Sequence, residues 1–149
     1  LAKEQEALER GTCITGFDRV PDFRMFSDGV AIKNALSELY PAKNNAGLSA
    51  WSSQIMAFRD SIEVGDYVLM PSKVNSSLHI GVVTGHYDYA KVNGKARHQR
   101  QVRWCGRMLK EDARATAQGS IGTFMAVFRV AKPRFVAAVR KIVDKQPDA

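Results

Sequence analysis

The spacing of apolar residues divides the chain into helices followed by paired strands. Residues 3 to 10 read as a short helix ended by Gly11, and 13 to 17 (CITGF) as a brief strand. Ser27 or Asp28 can cap a helix running to about Tyr40. Its apolar face is Ile32, Ala35, Leu36 and Leu39, and Pro41 stops it. Ser49 is placed to cap a second helix, with Trp51 in the first turn and Ile55, Phe58 and Ile62 following at i+4, i+7 and i+11. Gly65-Asp66 turns the chain into 67 to 71 (YVLMP), apolar on both faces as a central strand is.

The segment 78 to 89 (LHIGVVTGHYDY) predicts a longer strand. Gly81 and Gly85 within it predict a bend, a bulge or a close backbone approach. Asn93-Gly94 is a two-residue turn signal, and 99 to 105 (QRQVRWC) returns as a strand. A less regular stretch over 110 to 122 precedes a strand at 124 to 130. An amphipathic helix with Phe135, Val136, Val139, Ile142 and Val143 comes last. The order α-β-α-α-β-β-β-(α)-β-α, with adjacent hairpins, predicts an α+β domain whose small, mainly antiparallel sheet is a partly closed barrel flanked by helices. One domain over residues 1–149 is expected from the length and from a 45% apolar content sufficient for a core.

Composition narrows the function. With 25% charged residues and only 5 Pro and 11 Gly, disordered and fibrous classes are excluded. No apolar run approaches the about 18 residues of a membrane span, and the opening LAKEQEALER lacks a signal peptide's apolar stretch. Cys13 and Cys105 stand alone, which fits small buried hydrophobes in a reduced, cytoplasmic protein with no membrane partner. The chain opens on Leu1 without Met, so a fragment of a longer protein is expected.

Charge is unevenly spread. Residues 1–65 hold 7 basic and 9 acidic side chains, and residues 66–149 hold 15 basic and 6 acidic. A field of that sign draws polyanions. Lys73, Lys91, Lys95, Arg97, Arg100 and Arg103 are the candidate phosphate contacts.

Catalytic patterns do not appear. No Asp or Glu stands two positions before a Lys, as a metal-dependent restriction-type nuclease site requires, and no P-loop is present. His79, His86 and His98 are spaced for neither a zinc site nor a nucleophile–base pair. No catalytic residue, metal or cofactor is expected, and His79 reads as a satisfied structural histidine.

Aromatic rings are interleaved with the positive charge. Trp51 is followed by Ser52, Ser53 and Gln54, which can bond a base edge. Tyr87 and Tyr89 share one strand face, Trp104 lies beside Arg103, and His98 among arginines can touch a phosphate or a base. A base taken out of its stack needs such π-faces and a few polar groups. Trp51 and Trp104 equally suit a core, since each shares its periodicity with aliphatic neighbours.

The runs SAWSSQIMAFRDSIEVGDYVLMPSK, LHIGVVTGHYDY and RHQRQVRW resemble the PUA-like superfamily that includes EVE and YTH domains, and the resemblance covers roughly residues 28 to 145. More narrowly, they resemble the N-terminal domain of Mrr-like, modification-dependent (type IV) restriction endonucleases. The resemblance rests on Trp51 with Gln54, the Gly65-Asp66 turn into a strand ending at Pro71, Ile80-Gly81-x-Val83-x-Gly85, Tyr87-x-Tyr89 and Val102-x-Trp104. It implies a non-catalytic module that flips a modified base of DNA, a methylated cytosine, into an aromatic cage, while a covalently linked nuclease domain cuts. Trp51 with Tyr87 or Tyr89 would form the cage, and the hairpin Lys91 to Arg103 would hold phosphates. An RNA-binding PUA-like module and a protein- or small-ligand-binding domain are the alternatives.

Overall fold

A computed structural model describes residues 2–109, together with Glu111 and Arg140. The element order over this span is α-β-α-α-β-β-β, as the apolar pattern predicts. Apart from Glu111 and Arg140, the expected irregular stretch over 110 to 122, the strand at 124 to 130 and the closing helix lie outside the described residues.

Helix α1 is Ala2–Arg10, closed by Gly11 at φ +65°, and β1 is Thr12–Thr15. A one-turn 3-10 helix, Phe23–Met25, is capped by the Asp22 carboxylate. Helix α2 is Gly29–Leu39, with Asp28 accepting from the Ala31 N–H at 3.0 Å.

Helix α3 is Asn45–Met56 and begins five residues earlier than the Ser49 cap would allow. The Asn44 side chain accepts from the Gly47 N–H at 2.7 Å and supplies the start, so Ser49 is an interior residue and Trp51 lies in mid-helix. A π-helical turn, Ala57–Ser61, then widens the spiral and brings Phe58 into the core.

The strands are β2 (Tyr67–Pro71), β3 (Ser77–Val92) and β4 (Lys95–Leu109). They form one antiparallel sheet in the order β1-β4-β3-β2, with Leu69 opposite Ile80 in the β2–β3 register. Asn93 and Gly94, at φ 53° and 79°, make the tight turn that joins β3 to β4. Both long strands outrun their sequence boundaries. Among the described residues the sheet runs from β1 to β2 without closing on itself, so the expected partial barrel is not shown.

Two compact units emerge from the packing. The first comprises residues 2–14, 64–85 and 100–109 of the described chain. Its centre includes Ala7, Ile14 and Met70, against which Trp104 packs. Gly81 is there because nothing larger fits: a Cβ would run into the Val102 side chain and lie 2.9 Å from Trp104 Cε3 and 3.1 Å from the Arg103 carbonyl. Glu4 ties α1 to the sheet. Its carboxylate accepts from Ser72 Oγ and the Lys73 N–H, both at 2.8 Å, and meets His79 Nε2 at 2.9 Å. Burial pulls the Glu4 carboxyl upward, but these bonds outweigh it and hold it below the usual carboxylate range. His79 is thus a satisfied structural histidine.

The second unit comprises residues 15–63 and 86–99. Its core holds Val20, Phe23, Ile32, Leu36, Leu48, Ile55 and Phe58. Helix α2 packs on α3, and buried Ser52 Oγ donates to the Gly29 carbonyl at 2.7 Å where the two helices approach.

Candidate functional site

The candidate residues separate by unit. Trp51, Ser52, Ser53, Gln54, Tyr87, Tyr89, His98, Lys91, Lys95 and Arg97 belong to the second, while Trp104, Lys73, Arg100 and Arg103 belong to the first.

Trp51 is half-buried on α3 inside a group of rings. Phe17 meets it edge-on at 5.7 Å and Tyr40 at 5.1 Å, with interplanar angles of 70° and 77°. The Lys43 ammonium lies 4.5 Å from the indole centroid, and the Arg19 guanidinium 5.4 Å from the Tyr40 ring. Phe17, Tyr40 and Trp51 are all partly open to solvent, and both cations are exposed. Three electron-rich rings rimmed by positive charge form a face that suits stacking and cation–π contact.

Tyr87 and His98 take a different place. Tyr87 is 7% exposed and stacks on Phe23 at 5.1 Å, with the Arg24 guanidinium over its ring at 5.7 Å. His98 is 0% exposed and lies parallel to Phe23, 3.8 Å away. Its Nε2 faces two acceptors, the carbonyls of Phe17 at 3.1 Å and Val20 at 2.9 Å, so Nε2 carries the proton. Nδ1 therefore accepts from the Tyr87 hydroxyl at 2.8 Å, while that hydroxyl accepts from the Phe23 N–H at 3.0 Å. Burial keeps the imidazole neutral by pushing its pKa down, and pushes the Tyr87 phenol up.

No ring contact joins Trp51 to Tyr87 or Tyr89. Trp51 has Phe17 and Tyr40 as ring partners; Tyr87 has Phe23, Phe58 and His98; and Tyr89 tilts against His98 at 5.2 Å. The single cage expected from Trp51 and the two tyrosines is thus split. Trp51 anchors a surface group, and Tyr87 with His98 forms a buried polar network that supports the 17–26 loop. Arg59 supports the same loop, its guanidinium donating to the Phe23 and Phe26 carbonyls, both at 2.8 Å.

Several other candidates are structural. Ser52 is spent on Gly29, whereas Ser53 is exposed and Gln54 half-buried. Trp104 donates its indole N–H to the Ala7 carbonyl at 3.1 Å and packs in the core of its unit. Arg100 is 1% exposed and donates to the Gly85 carbonyl, so it is no surface phosphate contact. Arg97 is buried as well, and Arg103 is half-buried with Nη1 on the Cys105 sulfur. Lys73, Lys91 and Lys95 remain exposed. Cys13 and Cys105 are buried, and burial pushes the Cys13 thiol up to about 12. Among the described residues no helix is long and apolar enough to cross a membrane, and no three His, Cys, Asp or Glu side chains gather to hold a metal ion.

Sequence pattern singles out neither Phe17, Tyr40, Lys43 nor Arg19. The available signals were slight: an aromatic next to Gly16, and a tyrosine beside the Pro41 that ends a helix.

A family model, a domain of unknown function termed DUF8426, matches residues 2–131. The chain belongs to the DUF8426 family. No curated protein and no solved structure matches it. In this DUF8426 chain the geometry and charge of the site itself carry the functional reading.

Proposed function

We propose that this DUF8426 domain is a non-catalytic DNA-binding module that reads a modified base by stacking it on Trp51. The observation that carries the reading is the half-open Phe17–Trp51–Tyr40 group with Lys43 and Arg19 at its rim. An extruded methylated cytosine would lie against the indole, Lys43 moving off the ring to a neighbouring phosphate. Base–aromatic stacking contributes about 1–3 kcal/mol per base, comparable with the cost of unstacking it. Ser53 and Gln54, on the same helix, are the groups within this reading that would bond the base edge. Exposed Lys91 and Lys95, flanking the β3–β4 turn, would bind phosphates without reading sequence.

The proposal extends to a PUA-like fold, in which further strands close the sheet, and to a nuclease domain joined to this module that would do the cutting. Binding is tested by fluorescence anisotropy on duplexes of one sequence carrying plain or methylated cytosines. We expect at least a tenfold preference for a modified duplex, reduced to near parity by Trp51→Ala. Lys91→Ala and Lys95→Ala should weaken all duplexes alike. Equal affinity of the wild-type chain for plain and modified duplexes refutes the reading. Preferential competition by structured RNA transfers the site to RNA, whose helices are read through shape and 2′-hydroxyls.

A further inference from the structure

Phe17 holds a backbone φ of 65°, a region that bulky side chains avoid, and only external support keeps such a residue there. That support is visible. The Phe17 carbonyl accepts from the Val20 N–H at 2.9 Å, closing the turn, and His98 Nε2–H reaches both the Phe17 and Val20 carbonyls from inside. The Phe17 ring leaves the same turn to meet Trp51. The strained turn thus connects a buried imidazole to the half-buried ring group.

We propose that His98 is a positioning residue for the Trp51 site: its Nε2–H fixes the 17–20 turn and thereby sets Phe17 against Trp51, with no contact between His98 and the ligand. Tyr87 completes the device. Its hydroxyl donates to Nδ1, which selects the tautomer whose proton is on Nε2. The groups around the imidazole are Phe23 and Tyr87 alongside it, Tyr89 tilted against it, and the Asp18 and Asp22 charges acting on it from the loop. The inference rests on the base-stacking reading for its functional consequence, while the structural link it asserts can be read without any nucleic acid.

The experiment compares His98→Gln, whose side-chain amide can donate near the position of Nε2, with His98→Asn, which can accept from Tyr87 but is too short to reach the turn. The first readout is the NMR cross-relaxation between the Phe17 ring and the Trp51 indole in the free protein. The second is affinity for the methylated duplex, measured well below each variant's melting temperature. His98→Gln should keep the Phe17–Trp51 signal and bind within about twofold of wild type. His98→Asn should lose the signal and about 5–10-fold in affinity, one of the two rings that support Trp51 having moved. A folded His98→Asn chain that retains both, or a folded His98→Gln chain that loses both, overturns the proposal. If the Asn variant does not fold, the Gln variant decides alone. If wild type binds no nucleic acid while the ring signal follows the Gln/Asn difference, the base-reading role fails and the positioning role stands.

Discussion

Tyr87→Phe removes one oxygen atom and leaves the ring, so it isolates the hydroxyl at the centre of the buried network. In the native chain that oxygen accepts from the Phe23 N–H at 3.0 Å and donates to His98 Nδ1 at 2.8 Å. Two intramolecular bonds at about 1 kcal/mol net each give a lower bound. The larger part comes from what remains: a buried N–H and a buried imidazole nitrogen with no water to turn to, at about 1–3 kcal/mol for each group left unsatisfied. Partial relaxation of the loop offsets some of this, and we expect a loss of about 2–4 kcal/mol. For a chain of this size the melting temperature should fall by about 4–16 °C. That is a sizeable share of the about 5–15 kcal/mol that holds such domains folded. The assay is urea unfolding followed by circular dichroism, with the m-value unchanged. Tyr89→Phe, on a half-buried ring two residues along, is the control and should cost under about 0.5 kcal/mol. A Tyr87→Phe loss no greater than that of the control refutes the reasoning, because the hydroxyl would then not be part of a closed network.

Acid should weaken the fold through His98. Its folded pKa lies below the ordinary value of 6.5, chiefly through burial, so the unfolded chain takes up the proton first. Its contribution is fully present above about pH 6.5 and is lost as the pH falls through the folded value. The urea midpoint should therefore drop between pH 7.5 and 5.5, and drop less in His98→Gln. Gly81→Ala should cost about 2 kcal/mol or more, since the added methyl meets Val102 and the Trp104 ring, and the measured unfolding free energy checks this. Lys91→Ala and Lys95→Ala should each lower the slope of log affinity against log salt by about one, read from duplex titrations at several salt concentrations.

What the chain shows in sequence is the part governed by period and by local turn chemistry. The i, i+4 pattern of Ile32 and Leu36, the apolar run 67 to 71 and Asn93-Gly94 each answer to neighbours a few residues away, and each forms the expected element. Gly81 was legible as a bend, a bulge or a close approach, and only the packing of Val102 and Trp104 over it selects the last. The start of α3 was not, since Asn44 and Ser49 are equally good caps and only tertiary packing chooses between them. Basic residues misled in a specific way. Arg97 and Arg100 look like phosphate ligands in a run of positive charge, yet both are buried, and Arg100 donates to the Gly85 carbonyl. Charge along a chain does not reveal which guanidinium has an internal acceptor.

The same limit explains why the candidate site changed composition. Trp51 was identifiable because tryptophan is rare and amphipathic, but its partners Phe17 and Tyr40 come from a loop and a helix end with no periodic signature. Those partners are in place because residues remote in sequence, His98 and Arg59, bond the backbone of the 17–26 loop. Backbone carbonyls are present at every residue, so no pattern marks which ones receive a buried donor. It follows that substitutions removing the donor that His98 or Arg59 supplies to the loop should disturb the ring group, although neither side chain belongs to that group. A site built on an irregular loop is specified by what lies beneath it, and here that support is one imidazole, one phenol and one guanidinium.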